Sequence, residues 1–137
     1  MTETTREEST AMPGPRPDET LRQLIDALNA RDAESAIAQY HPDAAFVPEP
    51  GKPETGLVAI RAALDAFLAT QPRLAVEIAQ VIEAGDVALC CTRWTLTDAD
   101  AEDGEPLGAG VGAVVLRRQP DGTWKIAIEN PWADGEA

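Results

Sequence analysis

The stretch VVLRRQPDGTWKIAIENPW, residues 114–132, decides how this chain folds. Its two ends are rich in β-branched and aromatic residues, and Pro120-Asp121-Gly122 between them has turn chemistry, so the stretch reads as an antiparallel hairpin. Working back, GAGVGAVVLRR (108–118) extends the first arm. The run VALCCTRWTLT (87–97) is another strand, entered through a Gly85-Asp86 turn. Before that turn, Leu74, Val76, Ile78 and Ile82 alternate with Arg73, Glu77 and Glu83. Four consecutive strands with short links make a meander.

Upstream the period changes from two to that of a helix. Leu21, Leu24, Ile25 and Leu28 predict a first helix over about 19–30, with Asp18 or Thr20 as N-cap. Asp32 opens a second, short helix through Ala36, Ile37 and Tyr40 that ends before Pro42. Residues 43–48 form a short strand, and PEPGKPETG (48–56) is a loop, because its prolines and glycines forbid helix or central strand. A third helix runs from 57 to 70 on the stripe of Ile60, Ala63, Leu64, Phe67 and Leu68, with Arg61 and Asp65 spaced i, i+4 on another face. Residues 1–17 have no periodicity and few large apolar groups; they read as a disordered tail ahead of one domain, 18–137. Helices gathered before a meander predict an α+β fold, with three helices packed on a strongly curved, mostly antiparallel sheet.

Composition narrows the function. The 137 residues carry 24 acidic against 11 basic side chains, a net charge of -13. That charge repels phosphate backbones, and no basic stripe offsets it, so nucleic acid is not an expected partner. No apolar run reaches the roughly 18 residues of a membrane span, and Glu3, Glu7 and Glu8 stand where an export signal would be basic. The chain reads as soluble and cytoplasmic, with no membrane partner. Cys90 and Cys91 are neighbours on a strand, read as two reduced structural thiols.

The strings ALNARDAESAIAQYHPDAAFVPEPG (27–51) and ETGLVAIRAALDAFL (54–68) resemble the opening of the nuclear transport factor 2-like superfamily, in its SnoaL-like and ketosteroid-isomerase-like branch. The closing hairpin is similar to the DUF4440 subgroup. The resemblance covers about residues 19–132 and implies a cone of three helices wrapped by a bent sheet, a pocket at its open end, and a homodimer through the sheet's outer face. Members include isomerases, polyketide cyclases, epoxide hydrolases, dehydratases and noncatalytic assembly modules, so function has to come from the site. The ketosteroid isomerase set, an Asp base with a Tyr and a protonated Asp, falls on Pro48, Leu24 and the neighbourhood of Ala113. Two of those groups are missing, and the acid is displaced by one residue to Glu49.

Strict alternation then assigns faces. Cys90, Thr92, Trp94 and Leu96 share one side of their strand; Trp124, Ile126, Ile128, Asn130 and Trp132 share the inner side of the last, leaving Lys125, Ala127 and Glu129 outside. On this reading Glu129 forms a surface or interface ion pair with Arg93 or Lys125. Glu49 is the proton-transfer candidate if it points inward, and a solvated loop acid if it does not. Asn130 either orients a ligand with its amide or merely ends the strand before Pro131. Tyr40, Phe46, Trp94 and Trp132 would wall a pocket for a small apolar or aromatic metabolite, or simply pack as core.

His41, the only histidine, is placed at a helix C-terminus and cannot make a metal site alone. The acidic segment 98–105 lacks the glycine position and final glutamate of a calcium loop. GAGVG leads into a strand, so its glycines serve sheet bending instead of phosphate binding. No cofactor or metal is expected. The expectation is cofactor-independent acid–base chemistry on a small metabolite, or a noncatalytic binding or assembly module.

Overall fold

The computed structural model describes residues 15–98 and 106–133. Helix α1 spans Pro17–Asn29, α2 Ala33–Ile37 and α3 Leu57–Ala69; the strands are β1 Tyr40–Glu49, β2 Lys52–Thr55, β3 Pro72–Ala84, β4 Val87–Asp98, β5 Pro106–Arg118 and β6 Trp124–Asn130. One six-stranded sheet has the order β2-β1-β6-β5-β4-β3. All neighbours are antiparallel except β1 and β6. Helix α1 touches both β3 and β6, which lie three places apart in the sheet, as well as β4 between them. Only a sheet curled around the helix allows that. The predicted α+β cone is what forms.

Local chemistry sets the element ends. Pro17 occupies the first helical position of α1, where its missing N–H costs nothing, and the Glu19 carboxylate accepts from the Arg16 N–H at 3.0 Å. The N-cap is therefore Arg16, not Asp18 or Thr20. Those two lie buried in the first turn, where Thr20 Oγ1 donates to the Trp124 carbonyl at 2.8 Å and ties α1 to β6. Packing starts earlier than the expected tail boundary, since Trp124 Nε1 donates to the Pro15 carbonyl; residues 1–14 lie outside the described part. Asp32 caps α2 through Ser35, as predicted.

Helix α2 stops at Ile37, short of Tyr40. Gln39 accepts from the Ile126 N–H at 2.8 Å, and Tyr40 pairs beside Ile126 as the first residue of β1. His41 accordingly sits in a strand instead of at a helix end, its Nδ1 accepting from the Asp43 N–H. The segment expected as loop, 48–56, is partly an edge hairpin: Lys52–Thr55 pair with β1 across Pro50-Gly51, and Gly51 takes a φ of 78°. Edge position is what lets Pro53 sit in a strand. The core gathers Leu21, Leu24 and Leu28 of α1, Ile60 and Leu64 of α3, and Cys90, Val114, Leu116, Trp124 and Ile126 from the sheet.

Register shifts occur in several strands, and two of them decide which side chains face the helices. In β6, Ile126 faces Leu116 while Ile128 faces Val115, so Ala127 is a bulge. In β3, Ile78 faces Thr92 while Gln80 faces Cys91, so Ala79 is another. A bulge strengthens local twist and reverses the side of every residue beyond it. Ile128, expected to face the helices, is instead 47% exposed, and Ile82, which alternation groups with Leu74, Val76 and Ile78, is 46% exposed.

Candidate functional site

Between α1, α3 and the concave face of the sheet lies a cavity of about 290 Å³ that opens to solvent. Leu21, Leu24, Ile25 and Leu28 of α1 form one wall, with Leu64 and Phe67 of α3 beside them. The opposite wall is built by Leu74 and Val76 of β3, Thr92, Trp94 and Leu96 of β4, and Gly112 and Val114 of β5. The chain has six aromatic residues, and five line this space: Tyr40, Phe46, Phe67, Trp94 and Trp132.

The tryptophans are fixed at their polar ends. Trp94 Nε1 donates to the Pro131 carbonyl at 2.8 Å and Trp132 Nε1 to the Val47 carbonyl at 2.9 Å. Their rings meet edge to face, 5.5 Å between centroids at 87°. With both indole N–H groups spent on backbone, what these rings offer the cavity is carbon. Trp94 lies over the glycines of β5. A Cβ at Gly110 would come within 2.8 Å of the ring, and one at Gly112 within 2.7 Å of Thr92 Oγ1. The GAGVG run thus makes room for Trp94 and Thr92, a role that bending alone does not describe.

Among the described residues, Glu129 is the one charged side chain lining the cavity. The bulge at Ala127 turns it inward, against the outward place that alternation assigns, and β1 supplies its partner: the Tyr40 hydroxyl donates a hydrogen bond to Glu129 Oε1. The proposed ion partners are engaged elsewhere, Arg93 with Glu77 and Lys125 with the Ala38 carbonyl. Burial among apolar walls pushes the Glu129 carboxyl up to about 7, opposed by the Tyr40 hydrogen bond. Burial, and then the neighbouring carboxylate, raises Tyr40 well above the usual phenol range. Oε2 has no hydrogen-bond partner among the described residues.

Of the residues singled out in the sequence, Tyr40, Phe46, Trp94, Trp132 and Asn130 line this one cavity. Glu49 does not. It sits at the β1–β2 turn, exposed and 3.5 Å from Lys52, because the hairpin carries the chain past the cavity rim after Pro48. The Asn130 carboxamide oxygen accepts from the Trp132 N–H at 3.1 Å, which shapes the turn that brings Trp132 onto Trp94. Glu129 was legible as an anomaly, a charge in an apolar strand, but nothing in the sequence marked Ala127 as a bulge. Among the described residues no three His, Cys, Asp or Glu side chains converge on a metal-sized site, and no helix is long and apolar enough to cross a membrane. The segment compared with a calcium loop lies almost wholly outside the described residues.

A curled sheet closed by helices around a ligand-sized apolar hollow defines a nuclear transport factor 2-like cone. The chain belongs to the SnoaL-like domain family, whose model matches residues 21–127. Similar solved structures include a proposed calcium/calmodulin-dependent protein kinase type II association domain from Thiobacillus denitrificans. It is 21% identical with a TM-score of 0.74, over 87% of this chain and 96% of that one. A Mycobacterium tuberculosis protein of unknown function, Rv3472 with a D26N substitution, is 27% identical with a TM-score of 0.72, over 82% and 66%. A proposed ketosteroid isomerase from Shewanella frigidimarina is 19% identical with a TM-score of 0.69, over 81% and 89%. These neighbours share the fold. No protein of curated function matches the chain.

Proposed function

We propose that this protein binds a small, largely apolar metabolite in the cone and performs cofactor-independent proton transfer on it, with Glu129 as the group that takes and returns the proton. One observation carries the reading: among the described residues a single carboxylate lines the apolar cavity, pushed up to about 7 by burial, with Oε1 held by Tyr40 and Oε2 without a partner. Such a group exists in both protonation states at neutral pH, as a base and its conjugate acid must. Tyr40 holds the carboxylate in one orientation and favours its charged form. Isomerisation, cyclisation, dehydration and epoxide opening all need this step. Glu49, on the exposed turn, has no part in it.

The test is a substrate screen followed by two substitutions. Glu129→Gln lowers kcat by about 10²–10⁴-fold, while Glu49→Gln leaves it unchanged. Full turnover in Glu129→Gln refutes the assignment.

A second reading is favoured by the outer face. Ile82, Leu89, Val115 and Ile128 stand in register across β3, β4, β5 and β6, an apolar row on the convex side. Association of two copies through this row suits either an enzyme or a noncatalytic assembly module.

A further inference from the structure

Resting on the reading of the cone as a ligand site, we propose that its ligand is a hydrophobic amine bound as the ammonium cation, paired with Glu129 and faced by the surrounding aromatic rings. Three independent features point to a cation.

The charge lining the cavity is a carboxylate without a counter-ion. Among the described residues, none of those lining the cavity from α1, α3, β3, β4 or β5 is charged, and Tyr40 of β1 is the other titratable group beside Glu129. The free Oε2 can accept a hydrogen bond from an ammonium, and a charge-assisted bond of that kind is among the stronger ones available. An anionic ligand would meet repulsion there, with no basic side chain among the described lining residues to offset it.

The second feature is the distribution of aromatics. Five of the chain's six aromatic residues surround this space, and Trp94 and Trp132 have their N–H groups turned onto backbone carbonyls. Ring carbon suits the apolar part of an amine, and ring faces attract its cationic end. Third, the net charge of -13 concentrates small cations near the protein and repels anions.

The test uses the full chain and three probes of similar size, phenethylamine, 2-phenylethanol and phenylacetate, with binding measured by titration calorimetry at pH 6 and pH 8. Phenethylamine binds at least about tenfold more tightly than 2-phenylethanol at pH 8, and phenylacetate most weakly. Between pH 6 and pH 8 the amine's affinity rises by about tenfold as Glu129 loses its proton, while that of the alcohol does not rise. Glu129→Gln keeps alcohol binding and abolishes both the amine preference and its pH dependence. The pH arm on the unmodified protein needs no variant to fold. Equal binding of alcohol and amine, or an amine preference that survives in Glu129→Gln, overturns the ammonium assignment and leaves the cone as a ligand site. Binding of none of the three overturns both.

Discussion

Adding one methyl group at Gly110 tests how the cavity wall is built. Its backbone conformation is one that alanine adopts without strain, so what the methyl meets decides the outcome. It would meet the Trp94 ring at 2.8, 3.0 and 3.1 Å. The ring has little room to retreat, because Nε1 is held by the Pro131 carbonyl and the ring packs at right angles against Trp132. Overpacking of this kind costs about 1–3 kcal/mol. Losing the indole hydrogen bond adds about 1 kcal/mol, and the stiffer unfolded chain returns about 0.4–1 kcal/mol. Gly110→Ala is therefore destabilised by about 2 kcal/mol, a fall in Tm of about 8 °C for a domain of this size. Gly108→Ala is the control on the same strand face: its methyl would lie 3.7 Å from the same ring, in ordinary contact, and its Tm equals the parent's or rises by up to about 4 °C. Thermal unfolding by circular dichroism measures both. A double-mutant cycle assigns the cause, since in a Trp94→Val background Gly110→Ala becomes neutral or slightly stabilising. If Gly110→Ala melts with the parent, or its cost persists without the indole, the glycine is not there for Trp94.

Other expectations concern the carboxylate and the outer face. A carboxyl whose folded value is raised from 4.5 to about 7 binds its proton more tightly in the folded state, so the stability it confers is present below about 4.5 and lost as pH rises through about 7. At 1.36 kcal/mol per pH unit, and allowing for water in the open cavity, the loss is on the order of 2 kcal/mol. Urea unfolding from pH 4 to 8 therefore shows the parent losing ground to Glu129→Gln across that window and levelling off above it; a constant difference contradicts the placement. Tyr40→Phe removes the bond that favours the charged form, so Glu129 titrates higher than in the parent, as side-chain carboxyl NMR shifts read directly. An unmoved titration means that the pair is not formed in solution. Ile128→Lys puts a charge in the apolar row of the convex face and converts dimers to monomers in light scattering; a monomeric parent removes the association proposal.

The sequence exposed the architecture because the elements are long and their periods unambiguous. Leu21, Leu24 and Leu28 mark a helix face at helical spacing, and the run from Val87 to Thr97 reads as strand on composition alone. Boundaries failed where pairing with a distant strand overrode local preference: Tyr40 left its expected helix because β6 was available to pair with it, and Pro53 entered a strand because the sheet edge tolerates it. The aromatic walls of the site were legible, since Phe46, Trp94 and Trp132 bear the right residue types in elements whose ends converge. The acid was not. Glu49 looked accessible to a pocket in one dimension, but a hairpin turn separates it from the cavity in three.

The misplacement of Glu129 and that of Ile82 and Ile128 have one cause. Both Ala127 and Ala79 are inserted residues, and alanine carries none of the conformational marks by which glycine or proline betrays an irregular strand. Counting by twos across them sends Glu129 out and the isoleucines in; the ladder does the reverse. That exchange is unfavourable for an isolated, unliganded domain, because it buries a carboxylate and exposes two isoleucine side chains. It becomes favourable when each displaced group has work on its new side. On the functions proposed above, the carboxylate would meet a ligand or a transferable proton inside the cone, and the isoleucines a second copy outside it. The bulge in β6 thus links the inner site to the outer face: shifting one alanine would turn Glu129 away from the cavity and Ile128 away from the apolar row at once.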